Sequence, residues 1–230
     1  MTWDNQPTDG SATDIFFRRS INSGQSFGDI FDLSGNPGSS GADIVAIGPN
    51  VYVAWSQGFF PNTHVFFRRS LSEGQTGTFE DPQDISPAAN TAGGAKLAAV
   101  GLNVYVSWGE PLPHFLDSDI FFRRSLNQGA TFELPQKLTS SSGSTGRRIA
   151  ASGGNVYLVW NDNALGNYEV YFINSLDSGQ TFQSIVNLSD NLGISTNPRM
   201  VVNGSNLHIF WQDNTPGNFD IFYRHGKLTM

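Results

Sequence analysis

The 230-residue sequence contains no cysteine, which excludes disulfide bonds, a thiolate nucleophile and any cysteine-based metal site. No apolar run approaches the length of a membrane span, and no secretory signal precedes Trp3. Basic residues are few, and the net charge of −7 argues against a nucleic-acid partner, because phosphate binding requires a basic surface. No segment keeps an apolar period of about 3.6 residues, so a helical fold is disfavoured.

What the sequence does contain is a repeat. The five tryptophans are 52, 53, 52 and 51 residues apart, at Trp3, Trp55, Trp108, Trp160 and Trp211. A period of this length is too long for most helical solenoids and is typical of a four-stranded propeller blade. Each copy has a short apolar run, a second run that ends in Trp, a polar loop, a third run such as IFFRRS, a turn and a short fourth run. Because β-branched and aromatic residues dominate these runs, we predict four strands per copy and name them A to D.

The turn between strands C and D carries a recurring octet. It reads SINSGQSF at 20–27, SLSEGQTGTF with two inserted residues at 70–79, SLNQGATF at 125–132 and SLDSGQTF at 175–182. The pattern SxDxGxTF resembles the Asp-box, or bacterial neuraminidase repeat, which lies on this turn in sialidases and related propellers. The resemblance covers nearly the whole chain. It implies a sialidase-like propeller and, as one possible activity, glycoside hydrolysis.

The octets are predicted to be structural staples. Asp177 can accept bonds from backbone N–H groups of its own turn, Gly179 permits positive φ, Thr181 adds a hydroxyl bond, and Phe182 plugs the turn into its blade. Neutral residues that still accept a bond replace the Asp in the other copies, which a catalytic carboxylate would not tolerate. The predicted turn residues are Asn22, Gly24, Ser72, Gly74, Asn127, Gly129, Asp177, Gly179 and Thr181. The tryptophans are predicted to pack between blades.

The repeat therefore predicts an all-β fold, one propeller domain over residues 1–230 with antiparallel four-stranded blades. The copies span about 1–42, 43–94, 95–146, 147–196 and 197–230. The sequence starts near the end of a strand B and stops just after a strand C, so we expect five blade-equivalents with incomplete first and last blades. The alternatives are closure into four blades and part of a larger propeller. An incomplete edge blade exposes strand hydrogen-bonding groups and is a candidate surface for a homo-oligomer.

Two sets of basic residues recur in the repeat. Arginine pairs end strand C at 18–19, 68–69 and 123–124, and we predict that one Arg of each pair bonds turn carbonyls or acids. The second set begins strand A, twelve residues before each of the last four tryptophans. It consists of Asp43, Lys96, Arg148 and Arg199, with Arg147 beside Arg148.

Innermost strands line a propeller's channel, so the cations Lys96, Arg148 and Arg199 should ring its mouth. There they can hold a carboxylate, sulfate or phosphate. The alternative is a solvated rim of charges paired with loop acids such as Asp190.

The loops between strands B and C lie on the face opposite the octets and differ between copies. Exposed aromatic rings next to His and acids are typical of sugar-binding surfaces, so these loops are predicted to bind a glycan. The candidate residues are Phe59, Phe60, His64, His114 and Phe115. The alternative is that the aromatic rings cover the blade top or an interface.

The same loops are rich in oxygen ligands that suit Ca²⁺, although their spacing matches no known calcium loop and Asx turns are the favoured interpretation. These residues are Asp213, Asn214, Asn218 and Asp220 in one loop, and Asn161, Asp162, Asn163 and Asn167 in another. No other cofactor is predicted.

The sequence departs from the catalytic pattern of sialidases. Members of that family use an arginine triad, a Tyr activated by a Glu and an Asp acid/base. Their Phe/Tyr-Arg-Ile-Pro motif is missing here, since Arg19 and its equivalents are followed by Ser. Tyr168 and Tyr171 flank Glu169, yet Glu169 occupies a slot that other copies fill with Asp. No catalytic residue is therefore predicted.

The sequence favours a non-catalytic recognition propeller that binds glycans or an extracellular protein, in an extracellular or cell-surface setting. A sialidase-like hydrolase and a scaffold without a ligand of its own are the alternatives.

Overall fold

The computed structural model describes residues 1–5, 13–89, 91–111, 118–141 and 143–227. Over these residues the protein consists of eighteen strands in five antiparallel sheets. The first sheet contains β1 (Thr2–Asn5), β2 (Asp14–Phe17) and β3 (Phe31–Asp32). The second contains β4 (Ser39–Ile47), β5 (Asn50–Phe59), β6 (Asn62–Ser70) and β7 (Gln83–Asp84).

The third sheet contains β8 (Gly93–Val100), β9 (Asn103–Pro111), β10 (Ser118–Ser125) and β11 (Gln136–Lys137). The fourth contains β12 (Thr145–Ser152), β13 (Asn155–Asp162), β14 (Glu169–Ser175) and β15 (Val186–Asn187). The fifth contains β16 (Ser195–Asn203), β17 (Asn206–Asp213) and β18 (Asp220–Lys227).

The predicted propeller with incomplete first and last blades is confirmed. Strands follow chain order within every sheet, and we number these sheets blades 1 to 5. Blade 1 lacks a strand A and blade 5 lacks a strand D in the described residues. The four-bladed alternative is wrong, because β17 pairs with β16 and β18 rather than joining the N-terminal strands.

Consecutive blades pack against one another, whereas the first and last blades form no comparable packed pair among the described residues. The face of blade 5 that points away from blade 4 is open as a result. Its large side chains Phe210, Ile221 and Tyr223 are 39%, 69% and 49% exposed. The described chain therefore forms an arc of blades in which no sheet closes the ring through hydrogen bonds.

The core lies between blades, where the repeat places its tryptophans. Trp108 of blade 3 is fully buried in a cluster with Tyr52, Val65 and Phe67 of blade 2. Trp160 packs in the same way against blade 3, and Trp55 and Trp211 do so against blades 1 and 4. The prediction that the tryptophans pack between blades is confirmed for these four. Burial of such large rings is a major source of stability in a sheet-on-sheet interface.

The octets form the predicted staples. Ser175 Oγ donates to Asp177 Oδ1 over 2.7 Å and accepts from the Gly179 N–H over 2.8 Å. Asp177 Oδ1 also accepts from the Thr181 N–H over 2.9 Å, and Gly179 has φ 78°. The blade 2 turn differs, because its two inserted residues bring Thr78 Oγ1 within 2.6 Å of Ser70 Oγ. The Ser72 hydroxyl makes no hydrogen bond within the described residues, contrary to the expectation that it accepts one.

The octets also join one blade to the next. Phe182 packs edge to face against Phe122 of the preceding blade, with ring centroids 5.0 Å apart, and lies against a core cluster to which both blades contribute. Gly179 leaves room for the Phe122 ring, since a Cβ there would lie 2.6 Å from it. Arg124 Nη1 donates to the carbonyls of Asp177 and Ser178 over 3.3 and 3.2 Å. The structural interpretation of the arginine pairs is thereby confirmed.

Candidate functional site

The face opposite the octets is shaped by a β-bulge at the start of each strand A. Pairing with strand B breaks off before Asp43, Lys96, Arg148 and Arg199 and resumes at these residues. One residue of each bulge has positive φ; it is Gly in three copies and Asn197, with φ 55°, in blade 5. A bulge of this kind re-aims the neighbouring side chains. Blades 2 to 5 thus each present one charged residue at the same repeat position, and we call these four residues the channel-mouth cluster.

The members of the channel-mouth cluster lie close enough to influence one another. Burial lowers the pKa of the Lys96 amine, Asp43 opposes this shift, and the guanidinium groups of Arg148 and Arg199 add to it. Burial also lowers the pKa of Arg148, and repulsion from Arg199 contributes. Cations of three blades, together with Asp43, thus lie within electrostatic reach of one another.

No carboxylate forms an ion pair with Lys96, Arg148 or Arg199 in the described part of the chain. Arg148 Nη1 donates to the Arg147 carbonyl over 2.7 Å, and Arg199 Nη1 donates to the Pro198 carbonyl over 3.0 Å. Asp43 Oδ2 accepts from the Leu97 N–H over 2.8 Å. The arginines are thus held by neutral carbonyls, and most of their donors are left for a ligand.

Arg147 is a site residue that the sequence interpretation did not select. It occupies the second bulge position, where other blades have Ala42, Ala95 and Pro198, and it is only 8% exposed. Cavities of about 320 and 260 Å³ adjoin its guanidinium. The repeat shows that Arg147 replaces the Ala or Pro of the other copies, but the sequence does not show that its side chain is buried.

The predicted aromatic loop residues are placed unevenly. Phe59 and Phe60 are 65% and 61% exposed at the tip between β5 and β6. The Phe59 ring lies over Gly38, where a Cβ would approach it to 2.9 Å. His64 Nδ1 lies 2.7 Å from Asp84 Oδ2 within the same blade, so it is engaged rather than free. His114 and Phe115 lie outside the described residues.

The acids at the start of strand C have a common structural task. Asp119 pairs with Lys137 over 2.6 Å, and Glu169 accepts hydrogen bonds from Ser189 and Asn167. Each acid thereby ties strand C to the strand D side of its blade. In blade 3, Asp119 lies opposite Glu110 in the strand register. Burial raises the pKa of Glu110, although a hydrogen bond from the Trp108 indole opposes this shift.

The oxygen-rich loops make internal hydrogen bonds. Burial alone would raise the pKa of Asp213, yet bonds from Thr215, Ser195 and Asn191 lower it. Asn167 Nδ2 donates to the Gly193 carbonyl over 2.6 Å. No group of three or more His, Asp or Glu side chains suited to a metal is found among the residues that the structure describes. In the same residues, no helix is long and apolar enough to cross a membrane.

No protein-family model matches this sequence, and no curated protein matches it significantly. Solved structures do resemble the fold. The α-L-arabinofuranosidase Arb93A from Fusarium graminearum aligns with a TM-score of 0.57 at 11% identity, over 82% of this chain and 62% of that one. A Trypanosoma rangeli sialidase mutant that displays trans-sialidase activity aligns with a TM-score of 0.59 at 14% identity, over 96% and 40%.

Polysaccharide lyase Uly1 aligns with a TM-score of 0.63 at 8% identity, over 98% of this chain and 57% of that one. The chain thus spans between two fifths and about three fifths of these three enzymes. At identities this low, the likeness shows the propeller fold alone.

Proposed function

We propose that this chain is a non-catalytic recognition propeller that binds an acidic glycan on the face opposite the octets. The observation that carries this proposal is the channel-mouth cluster, in which cations of three blades converge without an ion-pair partner among the described residues. Like charges that gather in this way favour an external anion. The fold supports the proposal, because the similar propellers named above act on glycans.

The bound group is an anion such as a carboxylate or sulfate of the glycan. Arg148 and Arg199 present planar guanidinium groups that suit such groups, and Lys96 adds a third charge. Phe59, which is largely exposed, offers an apolar surface on the same side for a neutral sugar ring. Several shallow contacts of this kind gain affinity by acting together.

The proposal is tested by a glycan array run together with a fluorogenic glycosidase panel. Arg148→Ala and Arg199→Ala should each weaken acidic glycans by about tenfold, the loss expected for one charge-assisted hydrogen bond. Binding should also weaken as salt rises. Arg19→Ala, which removes a cation from the octet face, is the matched control and should leave binding unchanged. Acidic glycan binding that survives both channel-mouth substitutions would contradict the proposal.

A glycoside hydrolase is the second candidate, and one observation favours it. Glu110, whose pKa is raised by burial, faces Asp119 across neighbouring strands. Glycoside hydrolysis commonly uses a pair of carboxylic side chains. Against this, blades 4 and 5 repeat the pairing with Asp162 opposite Glu169 and Asp213 opposite Asp220. Turnover in the fluorogenic panel that is abolished by Glu110→Gln would select the hydrolase.

A further inference from the structure

Arg147 carries a buried charge for which the described chain supplies no counterion. Its Nη2 donates to the carbonyls of Gly93 and Gly94 over 2.6 and 2.9 Å. Its Nε is buried without a partner, and no described acid lies within ion-pair distance. Burial of an isolated charge is costly unless it is paired.

The electrostatic setting agrees with this geometry. Burial lowers the pKa of Arg147 to about 10, and repulsion from Arg148 adds to the shift. Arg147 is still charged at neutral pH, so the cost of its burial is present in the folded protein. Two carbonyl dipoles stabilise the guanidinium only in part, and its Nη1 has no hydrogen-bond acceptor among the described residues.

Gly109, which lies beside the Arg147 guanidinium, is a second residue that departs from the repeat. The position of Gly109 is occupied by Ser56, Asn161 and Gln212 in blades 2, 4 and 5. A Cβ at Gly109 would lie 2.9 Å from Arg147 Nη1. Gly109 has no positive φ that would call for glycine. Its missing side chain therefore serves to admit the guanidinium.

The space beside the guanidinium is suited to a sugar. The cavity of about 320 Å³ is large enough for a small ligand and is shared by blades 2, 3 and 4. Hydroxyl side chains on its wall can bond the hydroxyls of a sugar, and they are Ser56, Thr63, Thr91, Ser118 and Thr145. On the other side, the cavity of about 260 Å³ leads to Lys96 and Arg148 of the channel-mouth cluster.

We propose that Arg147 anchors a pocket for the acid group of an acidic monosaccharide unit, with the sugar ring among the hydroxyl side chains. This inference rests on the proposed function and narrows it, because it places the acid group on a buried guanidinium rather than on the exposed cations alone. Carboxylate and sulfate share the required chemistry: a compact anion that accepts hydrogen bonds from a guanidinium.

The test compares D-glucuronic acid, glucose 6-sulfate and glucose as probes, with affinity measured by calorimetry or NMR titration. The wild type should bind one or both acids and bind glucose weakly or not at all. Arg147→Ala introduces the residue that blades 2 and 3 have at this position, so the variant should fold. It should lose acid affinity by about 10- to 100-fold, the range for a charge-assisted hydrogen bond to a buried group.

Stability separates a binding role from a structural one. Removal of an unpaired buried charge should leave the melting temperature of Arg147→Ala unchanged or raised. Gly109→Ser is the companion variant, because it keeps the charge but displaces the guanidinium, and it should weaken the same probes. A lowered melting temperature with unchanged acid affinity would identify Arg147 as a structural residue and overturn the inference.

The outcomes also distinguish this inference from the proposed function. Acid binding that is lost in Arg199→Ala yet retained in Arg147→Ala would leave the proposed function standing and overturn the pocket. Failure of every acidic probe and every acidic glycan to bind the wild type would overturn both. Preference for glucuronic acid over glucose 6-sulfate, or the reverse, identifies which acid group the pocket takes.

Discussion

On the octet face, the turns of blades 2, 3 and 4 repeat the same contacts with the preceding blade. The opposite face, which carries the channel-mouth cluster and which we call the channel face, has side chains that change between copies. A Cβ at Gly74, Gly129 or Gly179 would meet a Phe ring of the blade before it at 2.8, 2.6 or 2.6 Å. Arg69 and Arg124 each donate to the turn carbonyls of the blade that follows. These arginines therefore find their acceptors within the chain.

The channel face leaves charge unsatisfied at the corresponding repeat positions. This position holds Asp43, then Lys96, then Arg148 and Arg199, and the three cations have no ion-pair partner in the described residues. The difference teaches that contacts repeated from blade to blade serve assembly, while positions that vary on a fixed scaffold are free to serve binding. Substitutions on the octet face should therefore lower the stability of the fold, and those on the channel face should lower the affinity for the ligand.

The largest effect is expected where an octet glycine meets the neighbouring blade. Gly179→Ala should lower the free energy of unfolding by about 2 to 5 kcal/mol, because it combines a left-handed backbone with overpacking against Phe122. Gly24→Ala is the matched control, since Gly24 has φ 84° but nothing within 4 Å of its Cβ position. It should cost only about 1 to 2 kcal/mol. Equal losses in urea unfolding would show that the turn does not join blades.

Loss of an arginine that bonds the next turn should rank second. Arg124, whose side chain is 9% exposed, bonds Glu133 over 2.8 Å as well as two turn carbonyls. Arg124→Met keeps the apolar stem and should cost about 1 to 3 kcal/mol. Arg19→Met is the control, because Arg19 is more exposed and contacts Glu73 only at 3.3 to 3.5 Å, so it should cost under about 1 kcal/mol. A cost for Arg19→Met that matched Arg124→Met in chemical denaturation would contradict this ranking.

The staple itself should contribute less than the contacts between blades. Asp177→Ala should cost about 1 to 2 kcal/mol at pH 7, because the Thr181 N–H and hydroxyl lose their acceptor. Asp177→Asn should be close to the wild type, since Asn127 Oδ1 accepts from the Thr131 N–H and its Nδ2 donates to the Thr131 hydroxyl in blade 3. Loss of ligand binding in a folded Asp177→Ala protein would contradict a purely structural role.

The pH dependence of this staple follows from the pKa of Asp177. Hydrogen bonds from the Thr181 hydroxyl and backbone N–H lower that pKa to about 2. The folded state thus favours the ionised form, so the stabilisation is complete above the unfolded carboxyl pKa of about 4 and is lost as the pH falls to about 2. Urea unfolding between pH 6 and 2 should show the wild type losing more stability below pH 4 than Asp177→Asn. Parallel curves would show that the carboxylate is not stabilised in the fold.

The smallest change in stability is expected on the channel face. Arg148→Ala and Arg199→Ala should change the free energy of unfolding by no more than about 0.5 kcal/mol in either direction, because both side chains bond only neighbouring carbonyls and repel each other. Thermal unfolding of the ligand-free variants checks this. A loss comparable to that of Arg124→Met would show that the cluster holds the blades together.

Much of the fold was predictable because the repeat encodes it locally. The spacing of Trp55, Trp108 and Trp160 predicted a four-stranded blade, and the octet predicted the position of the turn between strands C and D. The shared repeat position of Lys96, Arg148 and Arg199 was likewise visible in the sequence. The contact of Phe182 with the preceding blade was not predicted, because it joins rings on two different blades.

The sequence by itself determined the strands, the blades and the turn staples, because these depend on residue patterns within one copy of the repeat. Only the tertiary structure decided that the described blades form an arc with an open face at Phe210 and Ile221. It also decided that Arg147 is buried against Gly109 without a described acid beside it. The physical reason is that burial and charge pairing depend on which side chains of different blades meet, and residues 38 positions apart are brought into contact only by the packing of whole sheets.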